Sequence, residues 1–163
     1  MPGMQPSLKN GETGAIRLER YMHATIPQVV QMQVKVAAFD TTGLTLAAPL
    51  APNINHEQTA FGGSIGSLGT LACWGYLWLL LEDEPQLHIV VNEAHIRYLK
   101  PVTTALIARC AAPAAEAQQR FLDTLARRDK ARIELKASIG QDGVVCADYL
   151  GSFVAYRQGE AQE

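Results

Sequence analysis

The chain has 163 residues, 48% of them apolar and 18% charged, with a formal net charge of −2. That length suits one domain with a real core, the composition argues against disorder, and the charge gives no reason for a nucleic-acid partner. Three cysteines, Cys73, Cys110 and Cys146, form no Cys-x-x-Cys pair, which argues against a disulfide framework or a zinc ribbon and fits a reducing cytoplasm.

The first stretch, "MPGMQPSLKNGETG", is polar and marked by Gly and Pro, without the charged-then-apolar order of a signal peptide. It reads as a flexible lead-in over residues 1–14, ahead of a single domain over 15–158. Leu18, Tyr21, Met22 and Ile26 recur at helical spacing, and Pro27 ends that short helix. "VKVAAFD" (Val34–Asp40) and "LTLAAPL" (Leu44–Leu50) flank "TTG" and predict a hairpin.

Next comes "NINHEQTAFGGSIGS" (Asn53–Ser67), a polar, Gly-marked loop set against the longest uncharged run of the chain, Thr59 to Leu81. That run is nominally long enough to span a membrane. Its flanks are acidic, Glu57 before and Glu82-Asp83-Glu84 after, so no basic side orients it, and its first half is rich in Gly, Ser and Thr. A helix from about Gly63 to Leu81, buried on nearly every face inside the protein, is the expectation.

"QLHIVVNEAHIRYLKPV" then predicts a long strand stopped by Pro101, and "ALIARCAA" another. "PAAEAQQRFLDTLARR" opens on a proline and aligns Ala117, Phe121 and Leu125 on one helical face. In "ARIELKASI", Ile133, Leu135, Ala137 and Ile139 alternate with Glu134, Lys136 and Ser138, the pattern of a half-buried strand. "QDG" turns the chain into a last strand, "VVCADYLGSFVAYR". The sum is an α+β domain: a curved antiparallel sheet of about six strands around one long, central, apolar helix. One subunit covers such a helix only in part and leaves two sheet edges, so a homodimer or a dimer of dimers is expected.

This arrangement resembles the hotdog fold. More narrowly, "IPQVVQM" (Ile26–Met32), "APLAPNINHEQTAFGGS" (Ala48–Ser64), "TLACWG" (Thr70–Gly75), "IRYLKPV" (Ile96–Val102) and "ARIEL" (Ala131–Leu135) resemble a bacterial thioesterase family, the YiiD C-terminal type. That family occurs alone or behind an acetyltransferase domain, and the stand-alone form is expected here. The resemblance implies hydrolysis of an acyl thioester on coenzyme A or acyl carrier protein, with no cofactor beyond the coenzyme A or phosphopantetheine of the substrate. Many hotdog thioesterases carry Asn, then Gly-Thr, then His-Gly-Gly, with a carboxylate further down the helix. Aligned on the glycines, Asn55 matches the asparagine, Thr59 the threonine and Gly62 the first glycine. Phe61 replaces the histidine, and Thr70 stands where the carboxylate is expected.

A thioester carbonyl gains negative charge under attack, and backbone N–H groups at a helix start are a natural stabiliser. Gly62, Gly63 and Ser64 occupy that position, or the glycines serve only close helix-to-sheet packing. Asn55, and with less support Asn53, would orient water or the carbonyl; both also suit a plain turn. Thr70 cannot accept a proton near neutral pH but can hold a water. His56 and Glu93 are the candidate bases, each equally readable as a solvated side chain, and Glu93 shares a strand face with His95 and Arg97. Ser64 as nucleophile has no partner nearby in sequence.

Trp74, Tyr76 and Trp78 read as core or as the wall of an acyl tunnel. Lys100, Arg127, Arg128 and Lys130 are candidates for the phosphates of coenzyme A. No metal site is expected, since His88 and His95 should point to opposite faces of their strand. A hotdog dehydratase or hydratase would need a His with an Asp or Glu poised across the substrate, and the usual His-Phe-Pro-Gly style loop is absent. A non-catalytic acyl-thioester binder competes more closely, because of Thr70.

Overall fold

The computed structural model describes residues 13–84 and 86–158. The lead-in therefore lies outside the described residues up to residue 12. Its last two positions belong to a helix: the Thr13 side chain caps α1 (Gly14–Thr25) through the Ile16 amide. Pro27 ends α1 as expected but also opens a second short helix, α2 (Pro27–Met32), at the position where its missing N–H costs nothing.

All six expected strands form, and all pair antiparallel. They are β1 (Lys35–Asp40), β2 (Gly43–Ala48), β3 (Leu87–Tyr98), β4 (Leu106–Ala111), β5 (Lys130–Gln141) and β6 (Val144–Arg157), in the order β1-β2-β4-β5-β6-β3. The β1–β2 turn needs Gly43: its φ is 144°, and a Cβ there would fall 2.0 Å from the Cys110 carbonyl oxygen on β4. Asp142 and Gly143, both at positive φ, close the β5–β6 hairpin.

The long helix α3 (Gly62–Leu80) packs on one face of this sheet, against β2 through β6. Ile133, Leu135, Ala137 and Ile139 of β5 meet it from the sheet, with Tyr149 and Phe153 of β6. On its other side α1 covers it: Tyr21 stacks between Trp74 and Trp78, and Arg17 pairs with Glu82 at 2.7 Å just past the helix end. The α4 helix (Ala115–Arg128) buries Phe121 and Leu125, starting two residues beyond Pro113 rather than on it. Among the described residues no helix is long and apolar enough to cross a membrane.

β3 is an edge strand, and it carries a bulge between Val91 and Glu93. The extra residue shifts the alternation of the strand by one. His88 pairs with Tyr156 and His95 with Leu150, two outward positions of the same strand, so both histidines lie on the outer face of the sheet. The expectation of opposite faces fails because seven residues of unbroken strand would alternate that way and a bulged strand does not. Among the described residues no group of three His, Cys, Asp or Glu side chains is placed to hold a metal ion.

Candidate active site

The polar loop is organised by two asparagines. Asn55 is the hub of its tip: its Oδ1 accepts from the Glu57 amide at 2.9 Å and the Thr59 amide at 3.1 Å, and its Nδ2 donates to Thr59 Oγ1 at 3.0 Å. Backbone bonds from Asn55 N to Thr59 O and from Ala60 N to Val102 O tie the loop closed. Asn53 lies deeper, 2% exposed, and its amide donates to Met32 O at 3.0 Å and Pro49 O at 2.8 Å. It joins the end of α2 to the end of β2, and its own carbonyl accepts the Phe61 amide at 2.7 Å. The loop thus delivers the chain into α3 at a fixed angle.

At that entry Phe61 is the N-cap residue, and no side chain caps the helix. The first N–H groups of an α-helix have no partner within it, so the amides of Gly62, Gly63 and Ser64 carry the helix's positive end, and among the described residues no acceptor stands in front of them. Gly62 and Gly63 face a cavity of about 420 Å³, lined also by Ile26 and Gln28 of the α1–α2 corner, Gly66, Ser67, Thr70 and Leu71 of α3, and Ile96 and Tyr98 of β3. Gln28 donates to Ser67 Oγ at 2.9 Å across one wall. Tyr98 donates to the Gly62 carbonyl at 2.9 Å along the other. The Phe61 ring, 57% exposed, lies over Gly63, and Ser64 is buried beneath the helix start.

Thr70 lies at the far end of the cavity, and its hydroxyl bonds the Tyr149 hydroxyl at 2.8 Å. It follows Gly62 by eight residues of α3, about 12 Å of helix rise. Burial pushes the Tyr149 phenol above its ordinary value, against a smaller opposing effect of the Thr70 bond. Among the described residues that line it, none is Asp, Glu, His, Lys or Arg. The Cys73 thiol, buried deeper in α3, is pushed well above its ordinary value by a hydrogen bond with the free Cys110 thiol and by burial.

The other expected residues are not gathered here. His56 is 85% exposed at the loop tip and pairs with Glu57 at 3.2 Å. Glu93 accepts from His95 at 2.7 Å on the outer face of β3, while the cavity's Ile96 and Tyr98 occupy the opposite face of that strand. Trp74 donates to the Ile89 carbonyl at 3.2 Å and stacks with Tyr21, away from the cavity. Lys100 lies two residues past Tyr98 at the end of β3, whereas Arg127, Arg128 and Lys130 lie at the α4–β5 junction. Lys130 pairs with Tyr156, and Tyr98 with Ala147, nine residues away along β6, or about 30 Å.

Sequence reasoning missed Gln28, Ser67, Ile96, Tyr98 and Tyr149. A signal for part of this set was present: Gly62, Gly66 and Thr70, and Gly63 and Ser67, recur at spacing four and mark one small-residue face of α3. Tyr149 and Tyr98 carried no such signal, because only the strand register brings them to that face.

A six-stranded antiparallel sheet curved over one long helix is the hotdog fold. Residues 15–157 match the family described as "Putative thioesterase (yiiD_Cterm)", and the chain belongs to that family. Among solved structures, it is similar to a protein of unknown function from Chlorobaculum tepidum, with 32% identity and a TM-score of 0.84 over 88% of this chain and 94% of that one. It is also similar to a thioesterase, so named provisionally, from Shewanella oneidensis, with 37% identity and a TM-score of 0.79 over 88% of this chain and 97% of that one. A probable thioesterase from Pseudomonas aeruginosa, 21% identical with a TM-score of 0.74 over 88% and 96% of the two chains, shares the fold.

Proposed function

We propose that this protein hydrolyses an acyl thioester carried on coenzyme A or acyl carrier protein. The observation that carries the reading is the uncapped start of α3, where Gly62 and Gly63 turn free amides into a largely apolar cavity. Water adds to the thioester carbonyl, the oxygen takes the negative charge beside those amides, and the C–S bond then breaks to release an acid and a thiol. One such donor is worth roughly 2.7–4 kcal/mol of barrier. Asn55 acts by shaping the loop that aims the helix start, with Thr59 as its partner. Leu71, Ile96 and Ile26 supply the apolar wall for the acyl chain. We assign the water's proton neither to His56 nor to Glu93, since both stand off the cavity of their own protomer; it passes to solvent.

The working unit in this reading is a homodimer or a dimer of dimers. β3 is at once a wall of the cavity and a free sheet edge, with Val90 and Val91 each 44% exposed. A second copy paired along it would cover both. No cofactor, metal, nucleic acid or membrane partner enters the reaction as proposed, which is placed in the cytoplasm of a bacterium.

A panel of acyl-coenzyme A and acyl-carrier-protein substrates, followed by release of free thiol, tests the reading. One specific observation favours a second: the described lining residues include no carboxylate or imidazole, as a protein that binds acyl thioesters without cleaving them would allow. Binding without thiol release across the whole panel would select it.

A further inference from the structure

We propose that Tyr149 is a positioning residue that turns the Thr70 hydroxyl proton into the cavity, making Thr70 a hydrogen-bond donor to a carbonyl oxygen of the bound acyl thioester. It rests on the reading of the cavity as an acyl-thioester site. Three observations carry it. The first is the directional need of a buried phenol. Tyr149 is 2% exposed, and among the described residues its hydroxyl has one partner, Thr70 Oγ1 at 2.8 Å. A buried O–H left unmade costs the full desolvation of that donor, whereas a hydroxyl oxygen that accepts nothing costs little. Tyr149 therefore donates and Thr70 accepts.

The second is where the Thr70 proton does not go. Helix threonines commonly return their proton to the carbonyl four residues back. Thr25 does so to Tyr21 at 2.7 Å and Thr124 to Arg120 at 2.7 Å. Thr70 makes no such bond to Gly66; its hydroxyl lines the cavity, and the cavity is where its proton is available.

The third is that the phenol is held in place by the backbone. A Cβ on Gly69 of α3 would fall 2.8 Å from Tyr149 Cδ2, and one on Gly151 of β6 would fall 2.8 Å from Cε1 and 3.0 Å from the hydroxyl. Two glycines, one on the helix and one on the strand, leave a slot that the ring fills. The result is a fixed donor relay from Tyr149 through Thr70 to the ligand. Thr70 is then no acceptor for a water proton, which removes it as a stand-in for a base. At about 12 Å of helix rise from Gly62, it addresses a different ligand oxygen from the helix-start amides of its own protomer: the thioester carbonyl bound by a second copy's amides, or an amide carbonyl of the pantetheine arm.

The test uses the full chain with Tyr149→Phe, Thr70→Val, Thr70→Ser and the double variant Thr70→Val/Tyr149→Phe, each checked for an unchanged fold by circular dichroism. Steady-state constants for the best acyl-coenzyme A are read beside the affinity of a ketone analogue, in which methylene replaces the thioester sulfur. Tyr149→Phe should weaken turnover or affinity about 3- to 10-fold, the worth of one neutral hydrogen bond, Thr70→Val should do at least as much, and Thr70→Ser should restore most of it. In the Thr70→Val background the Tyr149 change should have no further effect. A loss in kcat assigns the thioester carbonyl, and a loss confined to KM and analogue affinity assigns the arm. Parental constants in Tyr149→Phe, or additive losses in the double variant, would overturn the proposal. A parent that binds the analogue without cleaving thioesters ends the hydrolytic reading alone, and the relay is then judged on affinity. A parent that does neither ends both.

Discussion

The Tyr98 hydroxyl donates to the Gly62 carbonyl and fastens the edge strand to the first turn of α3. The same tyrosine ring is the nearest group, at 3.4 Å, to any side chain added at Gly62. That contact is tight but tolerable, and Gly62 is not at positive φ, so a larger residue can be housed without breaking the helix. Its branches would stand over the free amides. Gly62→Val should melt within a few degrees of the parent while losing about 10²- to 10³-fold in kcat. Thermal denaturation and thiol release on the same samples check both halves. Normal turnover in a folded variant would move the site away from the helix start.

Asn53 should behave as a structural residue. Its amide satisfies the carbonyls of Met32 and Pro49 in a place where water does not replace it. Asn53→Ala leaves two acceptors unmade and should cost about 2–3 kcal/mol in urea unfolding. The folded fraction should keep its KM, because the side chain does not line the cavity. A raised KM at unchanged stability would return Asn53 to the binding machinery.

Stability should fall at alkaline pH. Burial lifts the Tyr76 phenol from 10.0 to about 12, with its hydroxyl donated to Gln118 at 2.7 Å. A raised value means that the folded state holds the proton more tightly than the unfolded one, so the contribution is whole below pH 10 and lost as pH rises toward 12. The upward shift at Tyr149 acts in the same direction. The unfolding free energy should therefore be level with respect to these groups up to about pH 10 and then drop by about 2–3 kcal/mol on account of Tyr76. Tyr76→Phe should be less stable at neutral pH, having lost the Gln118 bond, and should show a shallower alkaline fall. An equally steep fall in the variant would assign the transition to other groups.

The elements of this fold were legible because their signals are local. Strict alternation in β5, the Asp-Gly turn into β6 and the uncharged run of α3 each follow from nearest neighbours in sequence. The candidate site was legible only where it is made of one segment: Gly62, Gly63 and Thr70 lie on one helix and line one cavity. Glu93 was misplaced relative to the site because strand alternation says which residues share a face but not which face meets the helix. His88 and His95 were misassigned because a bulge is not written in residue type. Tyr149 was invisible for a different reason, since it lies 79 residues from Thr70 in sequence and meets it only because β6 lies second from the edge.

The last prediction concerns the missing base, and Thr70 is where to supply it. In their own protomer neither Glu93, on the outer sheet face beside His95, nor His56, at the loop tip, lies at the cavity. Glu93→Gln and His56→Ala should therefore keep the parental kcat and the parental pH profile. Thr70 is half-buried, lines the cavity and shares a hydrogen bond with the Tyr149 hydroxyl. A carboxylate at that position would accept the same bond, and a hydrogen bond to the charged form favours ionisation. Where the reacting carbonyl is held by a second copy's helix start, Thr70→Asp should set an ionised, oriented base beside it and raise turnover by about tenfold or more, toward the lower end of what general-base catalysis contributes. The gain should depend on the phenol: adding Tyr149→Phe to Thr70→Asp should remove part of it and shift the acid limb of its pH profile upward. A rate unchanged by Thr70→Asp in a folded protein would mean that the reacting carbonyl lies out of reach of position 70, and a loss of rate in Glu93→Gln would place the base on a neighbouring copy's strand.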